Sequence, residues 1–339
     1  MTAKKKYFTL KSLLFTAIGI LLFAWVLSAV NFNLLLQNLS KIPSSYYIAI
    51  LFFTTLTHLS RAIRWRQLLI SAGHKPKLGT TILANMSAYF VNQGLPRVGE
   101  ITRCTVLADT DKVPVQTSLG TVIAERAVDV LCMLVISGTI LLSQYKLLYD
   151  FVLQFIYNPL VEYYTANSLK FIFAGLILLC VFALFLLWWR GYYRKHKHGF
   201  LSDIVKGLLD GLLSVFRLKN QWAFWAHTAF IWFMYFVMTW YWFDVFPSIS
   251  SFSFTQILFI FAVGNLSRSI PIQAGSLPAY IFLVSKALLL LGADVNEAAA
   301  LVLIIPGIQT LFYIVAGGGC FAFYLLLRNR GQGSEVRGR

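Results

Sequence analysis

The sequence predicts an all-α fold, a polytopic transmembrane helical bundle, and three observations carry that prediction. Of its 339 residues 58% are hydrophobic and only 12% charged, about half the charged share usual in soluble domains. Apolar runs near the roughly 20 residues needed to cross a hydrocarbon core recur along the chain. Two apolar regions, about 79–108 and 254–292, are interrupted by Gly, Pro and polar residues. Each of these reads as a pair of short helices, a broken or re-entrant hairpin.

Taken in order, the elements begin with Lys4-Lys5-Lys6 and an apolar run from Leu13 to Val30. That outline resembles a signal peptide, but the run is longer than a signal core and many spans follow. It is expected to be the first membrane helix, at about 12–30. Further spans are expected at about 46–63, 117–143, 168–190, 222–246 and 298–327, with the broken regions between them. Trp188, Trp189, Trp222, Trp225, Trp240 and Trp242 fall near span ends, as an interfacial aromatic belt requires. Residues 191–221 start with a basic run and continue with Leu201, Ile204, Val205, Leu208, Leu209, Leu212 and Leu213 at helical spacing. An amphipathic helix on the cytoplasmic surface fits that pattern. Residues 331–339 read as a disordered basic tail after a single domain spanning 1–330.

A formal charge of +16 would suggest nucleic acid in a soluble protein. Here topology accounts for it, and no nucleic-acid partner is expected. With both termini inside and each broken region returning to its own side, cytoplasmic segments hold 23 of the 29 Lys and Arg, as the positive-inside tendency demands. Three spans then separate the broken regions, so one opens from the cytoplasm and the other from outside. Span, broken hairpin, span occurs as 46–143 and again inverted as 222–327, the arrangement of an inverted repeat. Cys104, Cys132, Cys180 and Cys320 stand singly, and no spacing predicts a metal or cofactor.

The chemistry concentrates in Asn92-Gln93-Gly94-Leu95-Pro96-Arg97-Val98-Gly99-Glu100-Ile101-Thr102-Arg103. Charged and amide side chains near hydrocarbon must face protein or a wet cavity. Pro96 removes a backbone donor and Gly99 permits close approach, so both mark a structural break. A second break, with Pro271, Gln273 and Gly275, lies 175 residues after the first, matched at the prolines. Two readings of the charges stay open. Glu100 and Arg103, with Glu125, Arg126 and Asp129 on the helix after them, suit a lipid headgroup, Arg forking onto phosphate oxygens. The same groups also suit an internal ion-pair network that pins the hairpin to that helix. Asn92, Arg97, Arg268 and Gln273 complete the candidate headgroup site. Arg61, Arg64 and Arg66 flank a span end and are expected to anchor at the lipid surface.

Asn92…Leu95-Pro96-Arg97-Val98-Gly99-Glu100…Arg103, then Lys112-Val113-Pro114, then Gly120-Thr121-Val122-Ile123-Ala124-Glu125-Arg126…Asp129 resembles the lysylphosphatidylglycerol synthase transmembrane region family. Arg61…Arg64-Trp65 upstream and Pro271-Ile272-Gln273-Ala274-Gly275 downstream fit the same family. The resemblance implies a flippase-like integral membrane protein. Its enzymes add a soluble aminoacyl-transferase domain after the membrane region; with this sequence ending at Arg339, lipid aminoacylation is not expected. No nucleophile elbow, phosphate loop or HExxH appears, so no catalytic residue, metal or cofactor is predicted. The function expected is a flippase or transporter of a phospholipid or lipid-linked headgroup in the cytoplasmic membrane. Its partners would be membrane lipids: an anionic or zwitterionic phospholipid, or a lipid-linked sugar. The alternatives are a non-transporting membrane subunit beside a separate lipid-modifying enzyme, or an enzyme acting on a lipid-linked substrate. A homo-oligomer is compatible with either.

Overall fold

A computed structural model of the chain describes residues 42–95, 98–166, 215, 218–269 and 277–337, with side chains as far as Asn329. The expected helices at 12–30, 168–190 and most of 191–221 lie outside these residues, as do Pro96, Arg97, Pro271, Gln273 and Gly275. Every regular element among the described residues is helical. The chain divides into two compact units, Met1–Ile140 with Gly207–Arg339, and Leu141–Lys206.

The first unit carries the site. Helix α1, Ser44–Ser71, starts behind Pro43, whose fixed φ suits a helix entrance. Helices α2, Leu78–Gly94, and α3, Val98–Asp111, pack on each other on either side of the first break. The Asn92 Oδ1 atom accepts the Gly99 backbone N–H at 2.8 Å, so the first helix of the pair caps the second. A Cβ at Gly99 would run into the Ala88 carbonyl and the Asn92 amide. Gly99 is therefore needed for close approach. Helix α4, Val115–Ser143, follows Val113-Pro114.

Within the second unit, α5 (Tyr145–Val152), a π turn (Leu153–Tyr157) and α6 (Asn158–Ala166) follow one another. There the buried Phe151 packs on Phe155, ring centroids 5.6 Å apart.

Returning to the first unit, α7 (Gln221–Tyr241) is capped by Asn220, whose side chain accepts the Ala223 N–H, and it packs along α1. A short turn (Phe243–Val245) and α8 (Pro247–Ser250) lead to the second helix pair, α9 (Phe254–Ser269) and α10 (Leu277–Leu290). Asp294 then caps α11, Val295–Phe312, accepting from the Asn296 and Glu297 amides, a strong start signal. A π turn (Tyr313–Gly317) joins α11 to α12, Gly318–Arg337. Gly317 is pressed against α2: a Cβ there would lie 2.7 Å from the Met86 carbonyl oxygen. Gly318 lies against the Phe90 ring, while nothing lies within 4 Å of a Cβ at Gly319. Helix α12 continues to Arg337, through residues 331–337 of the tail expected to be disordered.

Polar side chains are buried beside the apolar core while large apolar ones lie outside. On α1 the residues Thr54, Thr57, Ser60 and Arg64 are buried while Ile48 and Phe52 are exposed. On α4 Glu125 is buried while Leu131, Leu134, Val135 and Leu142 are exposed. Apolar side chains facing out and charged ones turned in are what hydrocarbon solvent favours. By length and hydropathy, one continuous helical stretch among the described residues can cross a membrane, Val295–Asn329, or two if Val115–Ser143 is taken with Tyr145–Thr165. Helices do form where spans at 46–63 and 222–246 were expected, but they fall below that threshold. The first carries inward arginines, and the second is rich in Trp and Tyr. Of the expected aromatic belt, Trp222, Trp225 and Trp240 are exposed, but Trp242 is fully buried, beside Tyr46 and Tyr47.

Candidate functional site

Three elements bring the charges together. Arg61 and Arg64 stand one turn apart on α1, on the face that also holds Thr54, Thr57 and His58. Glu125 and Asp129 stand one turn apart on α4, and Arg103 projects from α3. Spacing of three and four residues puts each pair on one helix face.

Glu125 is the centre. Its Oε2 accepts from Arg103 at 2.8 Å, and its Oε1 lies 3.2 Å from Arg64 and 3.6 Å from Arg61. The Asp129 Oδ1 accepts from Arg64 at 2.6 Å and its Oδ2 from Arg61 at 2.9 Å. Three further guanidinium contacts go to neutral partners: Arg61 donates to the Tyr235 hydroxyl at 2.8 Å, Arg64 to Thr228 and Arg103 to Asn85, while the buried Arg64 Nε has no partner. Arg103 also lies 4.7 Å above the Trp65 ring, and Trp65 donates its indole N–H to Thr121. Arginine suits this position because its planar fork reaches two carboxylates at once and keeps its charge when buried. With Arg64, Arg103 and Glu125 all buried, removing one partner would strand another charge away from water.

A second ion pair lies at the margin. Arg126 donates to the Glu100 Oε1 at 2.7 Å, and the Arg126 side chain is 48% exposed. Sequence spacing leaves Arg126 equally able to pair with Asp129, but Asp129 is taken by Arg61 and Arg64.

Beside the cluster lies a cavity of about 310 Å³, at the lower end of small-ligand pockets. Its lining comes from both helix pairs and from the helices between them. Arg61, Tyr89, Arg126 and Asp129 stand on one side of the sequence, and Trp232, Tyr235, Asn265, Arg268, Tyr280, Gln309 and Tyr313 on the other. His58 also lines it and meets the Tyr313 hydroxyl at 3.0 Å. Arg268 stacks 4.5 Å above the Tyr280 ring and has no acidic partner among the described residues. Across cluster and cavity, Arg61, Arg64, Arg103, Arg126 and Arg268 face Glu100, Glu125 and Asp129. Around the cavity the guanidinium groups outnumber the carboxylates.

The predicted site residues therefore separate. Arg126, Asp129 and Arg268 line the cavity. Glu125 is sealed within the cluster. Asn92, Glu100 and Arg103 line a neighbouring recess of about 10 Å³, room for one water at most, and Asn92 serves as a helix cap. Arg97 and Gln273 lie outside the described residues. The expectation for Arg61 and Arg64 is overturned: both turn inward onto the α4 carboxylates instead of anchoring at the lipid surface. A signal was present, since Thr54, Thr57, His58, Arg61 and Arg64 repeat at three- and four-residue spacing along one stripe of an apolar helix. Tyr89, Tyr235 and Tyr313 gave no such signal.

Fold and site together define a helical membrane protein whose interior holds a buried ion-pair cluster beside a polar, cationic cavity. The chain belongs to the family described as lysylphosphatidylglycerol synthase TM region, whose model matches residues 12–317. Comparison with curated proteins and with solved structures finds no match to either.

Proposed function

We propose that the protein is a flippase or transporter that carries a lipid headgroup, of a phospholipid or a lipid-linked sugar, across the cytoplasmic membrane. The observation that carries this reading is the 310 Å³ cavity, lined from both helix pairs and holding more guanidinium groups than carboxylates. In this reading α2–α3 and α9–α10 are the broken hairpins of inverted units 46–143 and 222–327. The first admits the headgroup from the cytoplasm and the second releases it outside, with both termini cytoplasmic. The buried cluster holds α1, α3 and α4 in fixed register, while Arg126 and Arg268 contact the passing phosphate. Acyl chains stay outside, against the apolar exterior of α4 and α12. The residues bind and move the lipid without covalent chemistry, so the protein acts as a carrier and not an enzyme.

The test is headgroup translocation in reconstituted vesicles, read with labelled phospholipids and a membrane-impermeant quencher. Arg126→Gln and Arg268→Gln proteins of normal stability should each translocate at least about tenfold more slowly, the loss of roughly 1.4 kcal/mol of differential binding. Wild-type rates in both would sink the assignment. A co-purifying lipid-modifying enzyme together with no translocation would favour the subunit reading.

A further inference from the structure

The stretch Val295–Asn329 lines the cavity through Ile305, Gln309 and Tyr313, whose spacing puts them on one helix face. Its backbone is weakened at both ends of that face. At the near end Pro306 stands inside α11, where a proline takes the donor from the Val302 carbonyl and bends the helix. At the far end the hydrogen-bond ladder widens into the π turn Tyr313–Gly317, a local departure that recurs at functional sites. Gly307 follows Pro306, and a Cβ there would meet nothing within 4 Å. Packing therefore does not require glycine at that position, and its effect is to loosen the backbone.

The piece between these two points is held lightly. Its outer side presents Leu311, Ile314 and Val315, all exposed among the described residues. On the inner side Gln309 donates to the Met238 sulfur at 3.8 Å. The firm attachment is Tyr313, whose hydroxyl meets the His58 Nε2 at 3.0 Å and whose ring stacks on Tyr89, centroids 5.1 Å apart. Among the described residues this is the His58 ring's one hydrogen bond, because its buried Nδ1 has no partner. Breaking it leaves buried polar groups unpaired, a cost removed when something entering the cavity pairs with them. Beyond Tyr313, Gly317 and Gly318 press on Met86 and Phe90 of α2, which fixes the lower pivot.

We infer that Gly307–Tyr313 is the moving wall of the cavity, hinged at Pro306 and along the π turn, and that the His58–Tyr313 hydrogen bond latches it closed. This goes beyond the headgroup reading and rests on it only for what passes the gate. The experiment is amide hydrogen exchange of the full chain in nanodiscs of mixed phosphatidylethanolamine and phosphatidylglycerol, beside the vesicle translocation assay. In the wild type, amides of 307–313 should exchange faster than those of α4; equal protection would overturn the moving wall. Tyr313→Phe keeps the ring and removes the hydroxyl, so exchange over 307–313 should rise about fivefold, the worth of one hydrogen bond, with α4 unchanged. Gly307→Ala stiffens a helical position that has room for the methyl, so exchange there should fall about threefold. Translocation should slow in that variant while its unfolding midpoint stays at or above the wild type. Wild-type exchange in Tyr313→Phe would overturn the latch, as would a rise shared by α4, which would make the contact ordinary packing. Wild-type exchange and translocation in Gly307→Ala would overturn the hinge. The expected exchange pattern with no translocation by the wild type would overturn the headgroup reading and leave the moving wall in place.

Discussion

The two helix pairs, α2–α3 and α9–α10, treat charge in opposite ways. Around the first pair, Arg103, Arg64 and Arg61 share the carboxylates of Glu125 and Asp129 in a buried network. Beside the second, Arg268 rests on an aromatic ring and no described carboxylate meets it. A paired, buried charge is costly to disturb and binds nothing further. An exposed charge held by stacking is cheap to remove and free to bind. The comparison separates scaffold from site: the first region holds the bundle together, and the second offers its cation to a ligand.

The largest expected effect breaks the first region. Glu125→Gln leaves Arg103 without a carboxylate and Arg64 and Arg61 with Asp129 alone, and should cost about 3–5 kcal/mol. The measurement is the midpoint of SDS-induced unfolding in mixed micelles; a loss below about 1 kcal/mol would mean the cluster is not a buried unit. Next comes the packing of α12 on the first pair. Gly317→Ala puts a Cβ 2.7 Å from the Met86 oxygen and 3.0 Å from the Phe90 Cβ, and overpacking of this kind costs about 1–3 kcal/mol. An unchanged midpoint would show that the helices separate freely there. Asn92→Ala deletes the bond across the first break and should cost about 1 kcal/mol, the worth of a helix cap. Proteolysis near residue 96 should also quicken; protection equal to wild type would remove Asn92 from that role. The smallest stability effect sharpens the contrast. Arg268→Gln should change the unfolding midpoint by less than about 1 kcal/mol, the value of an exposed cation–π contact, while headgroup translocation falls about tenfold. A large stability loss there would place Arg268 in the scaffold and erase the distinction.

The end of α2 was legible because Pro96 disfavours a helical residue before it, and Leu95 is extended; the second proline-containing segment lies outside the described residues. The family was legible through one dense stretch, Asn92 to Asp129. Pairing was harder to read. Glu100 and Arg103 are close in sequence, yet Arg103 meets Glu125 while Glu100 meets Arg126. Trp242 resembled an interfacial tryptophan by its place after a span, but α1 covers it.

What the sequence by itself determined is the all-helical class and which residues share a helix face, because periodicity and backbone chemistry act over a few residues. The tertiary structure alone decided which faces meet. An arginine near the end of an apolar helix can extend to the membrane surface or turn inward, and hydropathy is the same in either case. Only the rotation of α4 that brings Glu125 and Asp129 opposite Arg61 and Arg64 makes the inward choice the lower in free energy, since each buried charge is stable only beside its partner.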